Sequence, residues 1–350
     1  MIFRYLLVML MGLSTSQILA SPNSPAAAMS LETVYLLAVE QAPSLAIARY
    51  RMDSAEAQSA DARGSLLPQV SLFGEWSENE LSYDGALPSI YGEENYPGQR
   101  YGFQARQALF NMSRFREMQR RDALFDRSKS DLAQAEIELL AQVVDAYLTV
   151  LVADNTVSQS QVESEALEKQ LDEAQALYSR ALMPVTQVLE TQTRSETVRA
   201  DLIEAEGEAA IARERLTELI GMRDFELMDI ARGVSLAAHM ATPEQAVAEA
   251  LRNSPAVAAA RDSAAAAEFA IKREKGSWWP EVSLVFNHQY SDVGFDNLTS
   301  PPRTTESVSI AVNYPLIQGG SGSARIRGAW ADFYAAKEEL EDAKRQVETL

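Results

Sequence analysis

Few groups in this 350-residue chain could carry out chemistry. It contains no cysteine, which excludes a thiol nucleophile, a thiolate zinc site and a disulfide scaffold. The two histidines, His239 and His288, stand alone, neither at metal-ligand spacing from another candidate ligand. Runs of carboxylates such as Glu163, Glu165 and Glu168, or Glu338-Glu339 with Glu341-Asp342, have no histidine partner and read as solvated helix faces. One motif lies where a dinucleotide loop or a nucleophile elbow would lie, between a strand and a helix: Gly319-Gly320-Ser321-Gly322-Ser323. It lacks the glycine needed at Arg325 for G-x-G-x-x-G and the one needed at Ser323 for G-x-S-x-G. The strand before it alternates instead of being apolar on both faces, so the motif reads as a flexible strand-to-helix joint. These residues predict no catalytic site, no metal and no cofactor.

The elements that carry these groups follow from composition and periodicity. Lys and Arg number 31 against 50 Asp and Glu, a formal net charge of −19, which argues against a nucleic-acid partner held by phosphate neutralisation. Hydrophobic residues make up 47%, much of it alanine within charged stretches, a composition that favours long helices. Residues 1–20 carry one positive charge at Arg4, an apolar run and a small-residue end at Ala20, the layout of a secretory signal peptide. No later stretch is apolar for the ~18 residues of a transmembrane helix, so an exported chain of this kind enters a membrane only as strands.

Shifting the sequence by 212 positions aligns residues 31–72 with 243–284 without a gap, with 14 identities in 42 positions. Pro43 falls on Pro255, Gly64-Ser65 on Gly276-Ser277, Pro68 on Pro280 and Val70-Ser71-Leu72 on Val282-Ser283-Leu284. One structural unit used twice is expected: a first repeat over 21–242 and a second over 243–350. Each begins with helix (31–63 and 243–275) interrupted at its proline and ended at its glycine. Strands 69–76 and 281–290 follow, then polar loops, then return strands 99–109 and 307–316, giving hairpins at 69–109 and 281–316. Val282, Leu284 and Phe286 share one face, as do Val308, Ile310, Val312 and Tyr314, with Ser283, Asn287, Ser307, Ser309 and Asn313 opposite. Such alternation over about ten residues fits a wall strand of an outer-membrane barrel with the apolar set facing lipid.

Between the hairpins the chain is helical. Residues 113–181 contain neither Gly nor Pro and would extend ~100 Å as one helix. Met183-Pro184 breaks the run, and a second helix to Ile220 completes a helical hairpin over 113–221, closed by Gly221. Leu171, Ala174 and Leu182 with Leu189, Val198 and Leu202 supply an antiparallel coiled-coil seam. The segment 184–220 and the helix at 31–63 are together about as long as 113–181, so they could lie end to end beside it. The second repeat reaches only the start of its long helix, about 100 residues short of the first, so the chain is expected to be truncated at its C-terminus.

Signal peptide, duplicated helix–hairpin–helix unit, Leu67-Pro68-Gln69-Val70, and the hairpin exits Ala108-Leu109-Phe110-Asn111-Met112-Ser113-Arg114 and Tyr314-Pro315-Leu316-Ile317-Gln318-Gly319-Gly320 together resemble the TolC-like outer membrane efflux family. Tyr178-Ser179-Arg180-Ala181-Leu182 and Leu216-Thr217-Glu218-Leu219-Ile220-Gly221 add to the resemblance. The resemblance implies a mainly α fold with membrane β-strands. Three identical subunits would each give four strands to a trimeric β-barrel that continues as a periplasmic α-barrel of long antiparallel coiled-coil helices. It implies an outer-membrane location and a passive gated exit duct for efflux or type I secretion. The partners it implies are a periplasmic adaptor, an inner-membrane pump and outer-membrane lipid. Carried over, Tyr178, Arg180, Ala181 and Leu182 form the adaptor-docking tip, and Pro184, Thr186, Gln187 and Val188 the tunnel entrance. Ala181 stands where the family usually has Gly, and Gln187 where an Asp helps latch the closed entrance. A competing reading, a coiled-coil spacer anchored in the outer membrane, accounts for the helices but not for the alternating strands.

Overall fold

The computed structural model describes residues 28–81, 94–230, 242–292 and 301–349. The expected signal peptide, His239 and the centres of both hairpin loops lie outside the described residues. The chain runs α1 (Leu31–Gln41), α2 (Pro43–Gly64), β1 (Gln69–Leu81), β2 (Glu94–Phe110), α3 (Met112–Ser179), α4 (Val185–Ile220), α5 (Pro243–Asn253), α6 (Pro255–Gly276), β3 (Glu281–Asp292), β4 (Arg303–Asn313) and α7 (Ser321–Thr349). Both early helices divide at their proline because the residue before it is driven extended: Ala42 has ψ 117° and Ser254 ψ 120°. Ser254 turns that break into a cap, its hydroxyl accepting from the Val257 N–H.

Two compact units form. In the first, α1, the part of α3 from Val143 onward and α4 enclose a core in which Val34, Val143, Val150 and Leu216 are fully buried. Tyr147 lies in the same core, its hydroxyl donating to the Met228 carbonyl and lying 3.1 Å from that of Met29, where these two short extended segments pair in parallel. Along α4 the buried positions are Val188, Val198, Ala205, Ala209, Ala212, Leu216 and Ile220, which from Val198 onward follow the three, four and seven spacing of a coiled-coil seam. Ala174 and Val198 take their expected places in it, but Leu182 and Leu189 are exposed. Leu182 falls in the turn, and Leu189, next to buried Val188, points away from the seam. Gly221 closes α4 with φ +71°, its N–H donating to the Thr217 carbonyl at 2.7 Å.

The second unit holds α2, α3 as far as Gln142, α5 to α7 and the sheet. The four strands are antiparallel in the order β1-β2-β3-β4. They outrun the expected ranges toward the loops, because ladder hydrogen bonds continue through polar residues such as Ser77–Glu80 paired with Asn95–Gly98. At the helix-proximal end β4 is shorter than expected. Its last paired residue is Asn313, opposite Glu281, so Tyr314 stands beyond the strand. Pro280, with no N–H, precedes Glu281, and Pro315 follows Tyr314; neither can extend the ladder. Gly102 permits the close approach of β2 and β3, since a Cβ there would stand 2.1 Å from the His288 carbonyl oxygen. Gly64 and Gly276 end their helices without a left-handed cap; the capping Ser65 and Ser277 are right-handed. Gly276 has a packing role instead, because a Cβ would meet the Ser113 nitrogen at 3.0 Å.

Candidate functional site

Side-chain alternation and strand register together define two faces of the sheet. Val70, Leu72 and Trp76 of β1 align with Ala105, Phe103 and Gln99 of β2. Ala105 and Phe103 align in turn with Phe286 and His288 of β3, and Val282, Leu284 and Phe286 with Val312, Ile310 and Val308 of β4. The six expected lipid-facing residues that lie within strands therefore share one face with Leu72 and Trp76; Tyr314 does not join them as a strand residue. Aromatic contacts knit this face, with Tyr101 on Tyr290 at 4.9 Å and Phe103 against Phe286 at 5.5 Å. The opposite face carries Ser71, Gln104, Arg106, Ser283, Asn287, Gln289, Ser307 and Ser309.

Apart from Val285, buried on the polar face, burial in the sheet runs opposite to what water would select. Leu72 is 84% exposed and Ile310 65%, while Ser283 is 5% exposed. Leaving a large apolar side chain in water forfeits about 1.5–3 kcal/mol each, so a row of them across four strands needs a non-aqueous neighbour. The strands have 11 to 17 residues, enough for the ~9–11 that cross a bilayer obliquely. Among the described residues no helix is long and apolar enough to cross a membrane.

His288 does not stand alone. Its Nδ1 lies 3.0 Å from Oε1 of Glu306 and its ring stacks on Phe103 at 5.4 Å. This pair joins residues 18 apart in sequence through the β3–β4 register, near the loop end of the apolar face.

The turn between α3 and α4 has a defined geometry. Leu182 N–H donates to the Leu177 carbonyl at 2.9 Å and Ala181 N–H to that of Tyr178 at 2.8 Å, the paired bonds of a Schellman cap. The residue this cap requires in the left-handed region is Ala181, at φ +61°, the one non-glycine residue with positive φ among those described. A Cβ there costs roughly 1–2 kcal/mol. Tyr178 and Leu182 are exposed, Leu182 at 71%, and Arg180 has no ion-pair partner among the described residues. Pro184 is the extended residue that precedes α4, with Thr186 and Gln187 exposed in its first turn. Val188, expected at the entrance, is buried in the hairpin seam at 8% exposure.

Sequence reasoning missed the ionic cluster where helices meet the sheet. Glu117 lies between Arg120 at 2.7 Å, Arg121 at 2.8 Å and Arg273 at 3.0 Å. Burial pushes its carboxyl up, but the hydrogen bonds from the three arginines outweigh this and hold it at about 2. Glu274 joins Arg273 to Arg325, at 3.1 Å from the latter. The i+3 and i+4 spacing of Arg120 and Arg121 from Glu117 was a readable signal; the contact from Arg273, 156 residues away, was not.

A family model described as outer membrane efflux protein matches residues 34–222 and 246–347. The chain is 24% identical over 330 residues to the alkaline protease secretion protein AprF of Pseudomonas aeruginosa, covering 91% of this chain and 68% of that one. It is 25% identical over 353 residues to the outer membrane protein TolC of Escherichia coli, covering 98% and 69%. Among solved structures, the outer-membrane channel OprN superposes with a TM-score of 0.73 at 23% identity, over 89% of this chain and 70% of that one.

Proposed function

The chain belongs to the outer membrane efflux protein family, and from that premise we propose that three copies assemble into a passive, gated exit duct. It is an outer-membrane channel of the efflux and type I secretion class, with its helical part in the periplasm. The observation that carries the assembly is the inside-out sheet with two unpaired edges. β1 and β4 each offer an open ladder, which cannot persist in lipid. An even number of antiparallel strands sets β4 of one copy antiparallel to β1 of the next. A head-to-tail ring therefore closes without a mismatched pair, its apolar face outward and its polar face toward water.

Within this reading the α3–α4 turn is the periplasmic tip. Tyr178, Arg180, Ala181 and Leu182 would dock an adaptor that couples the duct to an inner-membrane pump, supported by the exposure of Leu182 and by an Arg180 without an ion-pair partner among the described residues. Pro184, Thr186 and Gln187 would line the entrance. Protease secretion is the role in the name of AprF, and a protein cargo is a candidate here on that likeness. The work is conduction, not catalysis. Reconstituted full chain in a planar bilayer is expected to conduct ions in steps. A trimer that inserts and never conducts would remove the duct reading and favour the anchored spacer.

A further inference from the structure

The segment at the helix-proximal end of the sheet carries a second pattern that the duct does not use. Trp279 and Phe110 lie together there with ring centroids 6.1 Å apart, and both are exposed. The strand exit Tyr314-Pro315-Leu316-Ile317 runs beside them, held at one end by the Asn313–Glu281 pair and at the other by Gln318 donating to the Ser277 carbonyl. Leu316 and Ile317 are 73% and 90% exposed, continuing the apolar face past the last ladder bond. Tryptophan and tyrosine at this level fit the headgroup zone of a bilayer.

Immediately beyond this collar the charge changes sign relative to the whole chain. Residues 111–130 hold six Lys and Arg against three acids, 271–280 three against one, and 314–330 two against none. The acids present are mostly engaged: Glu117 by three arginines, Glu274 by Arg273 and Arg325, Asp122 by Arg63. Three cations have no acidic partner among the described residues. Arg116 lies over the Phe115 ring and Lys275 over the Trp330 ring, while Arg327 is exposed on α7. Gly276 packs on the Ser113 backbone and a Cβ on Gly322 would strike Trp278, so the end of α6 and the starts of α3 and α7 meet. Arg116 and Arg327 therefore lie in the first two turns of α3 and α7, and Lys275 in the last turn of α6, at the helix ends that meet beside the sheet.

We infer that this collar binds the headgroups of anionic phospholipid in the periplasmic leaflet, with Arg116, Lys275 and Arg327 contacting the phosphates and Trp279, Leu316 and Ile317 seated among the acyl chains. The inference rests on the membrane reading of the sheet, which fixes the side from which lipid arrives. A zwitterionic headgroup offers no net charge to a basic collar; an anionic one gains roughly fivefold for each basic side chain near the surface.

The test is to reconstitute the full chain into nanodiscs from an equimolar mixture of phosphatidylglycerol and phosphatidylcholine, then count the lipids retained on extraction by mass spectrometry. Phosphatidylglycerol is expected to be enriched at least about fivefold, and the enrichment to fall toward one in R116Q/K275Q/R327Q. It should persist in R199Q/R215Q/R223Q, which removes three exposed cations from α4 and the segment after it. Raising salt to about 1 M shortens the screening length to ~3 Å and should abolish the wild-type enrichment, an arm that needs no variant to fold. Equal retention of the two lipids, or enrichment that survives both salt and the collar variant, overturns the inference. Conductance recorded on the same preparation separates the readings: a chain that inserts and conducts without enrichment loses only the collar, and one that does not insert loses the duct.

Discussion

The sheet and the α3–α4 hairpin obey opposite rules of burial. In the hairpin unit, Leu216, Val143 and Val150 are fully buried and Tyr147 nearly so, as water selects. In the sheet, Val308, Ile310 and Val312 are about two-thirds exposed, while Ser283 and Ser291 are sheltered on the opposite face. The two regions share one chain and a similar alphabet of Ala, Val, Leu and Ser. The difference lies in periodicity: a seam of threes and fours narrow enough to bury, against a strict two that leaves one whole face outside. That contrast is what a chain partly in water and partly in lipid should display.

Six substitutions probe it. The largest effect is expected on the water side, where Leu216→Ala should cost about 2–5 kcal/mol, read as a lowered thermal midpoint in detergent, while the same truncation at exposed Val152 should stay within about 0.5 kcal/mol. On the lipid side, Ile310→Arg should cost about 2–4 kcal/mol per subunit and deplete assembled protein in outer-membrane fractions. Ser309→Arg, one residue away on the polar face, should assemble normally; equal damage at both positions would erase the distinction between faces. Ala181→Gly should stabilise the hairpin by about 0.5–1 kcal/mol, the relief of left-handed strain less the extra chain entropy of glycine. A neutral or lowered midpoint there would mean that the turn does not hold φ +61°. The last effect concerns pH. Glu117 is held at about 2, below its ordinary 4.5. Its contribution is therefore complete above about pH 4.5 and is lost as pH falls toward 2. Glu117→Gln should flatten the acid limb of a thermal-midpoint profile over that interval.

Much of this was legible from the residues. Alternation in Val282–Phe286 and Val308–Val312 placed the right side chains on one face before any register was known. The positions of Pro43, Pro255 and Gly221 marked three helix boundaries. Strand ends were not legible, because backbone pairing through Ser77–Glu80 is independent of side-chain polarity, and because Tyr314 continues the alternation past the point where Pro315 stops the ladder. Neither His288–Glu306 nor Glu117–Arg273 could be read, since each depends on a register or a helix packing that local sequence does not encode. Ala181 was readable as a departure from a family glycine, but its left-handed φ was not, because alanine carries no signal for that region. Val188 takes the seam position expected of Leu189, one residue and about 100° of helix rotation away.

The absence of cysteine opens the most direct test of the central claim, that one sheet face meets lipid and the other water. Ile310→Cys and Ser309→Cys would each introduce the chain's one thiol, on opposite faces of β4. In intact outer membranes, a charged water-soluble maleimide should modify the thiol of Ser309→Cys and leave that of Ile310→Cys unmodified, with a lipid-confined quencher showing the reverse. Equal aqueous modification of both positions would contradict the account.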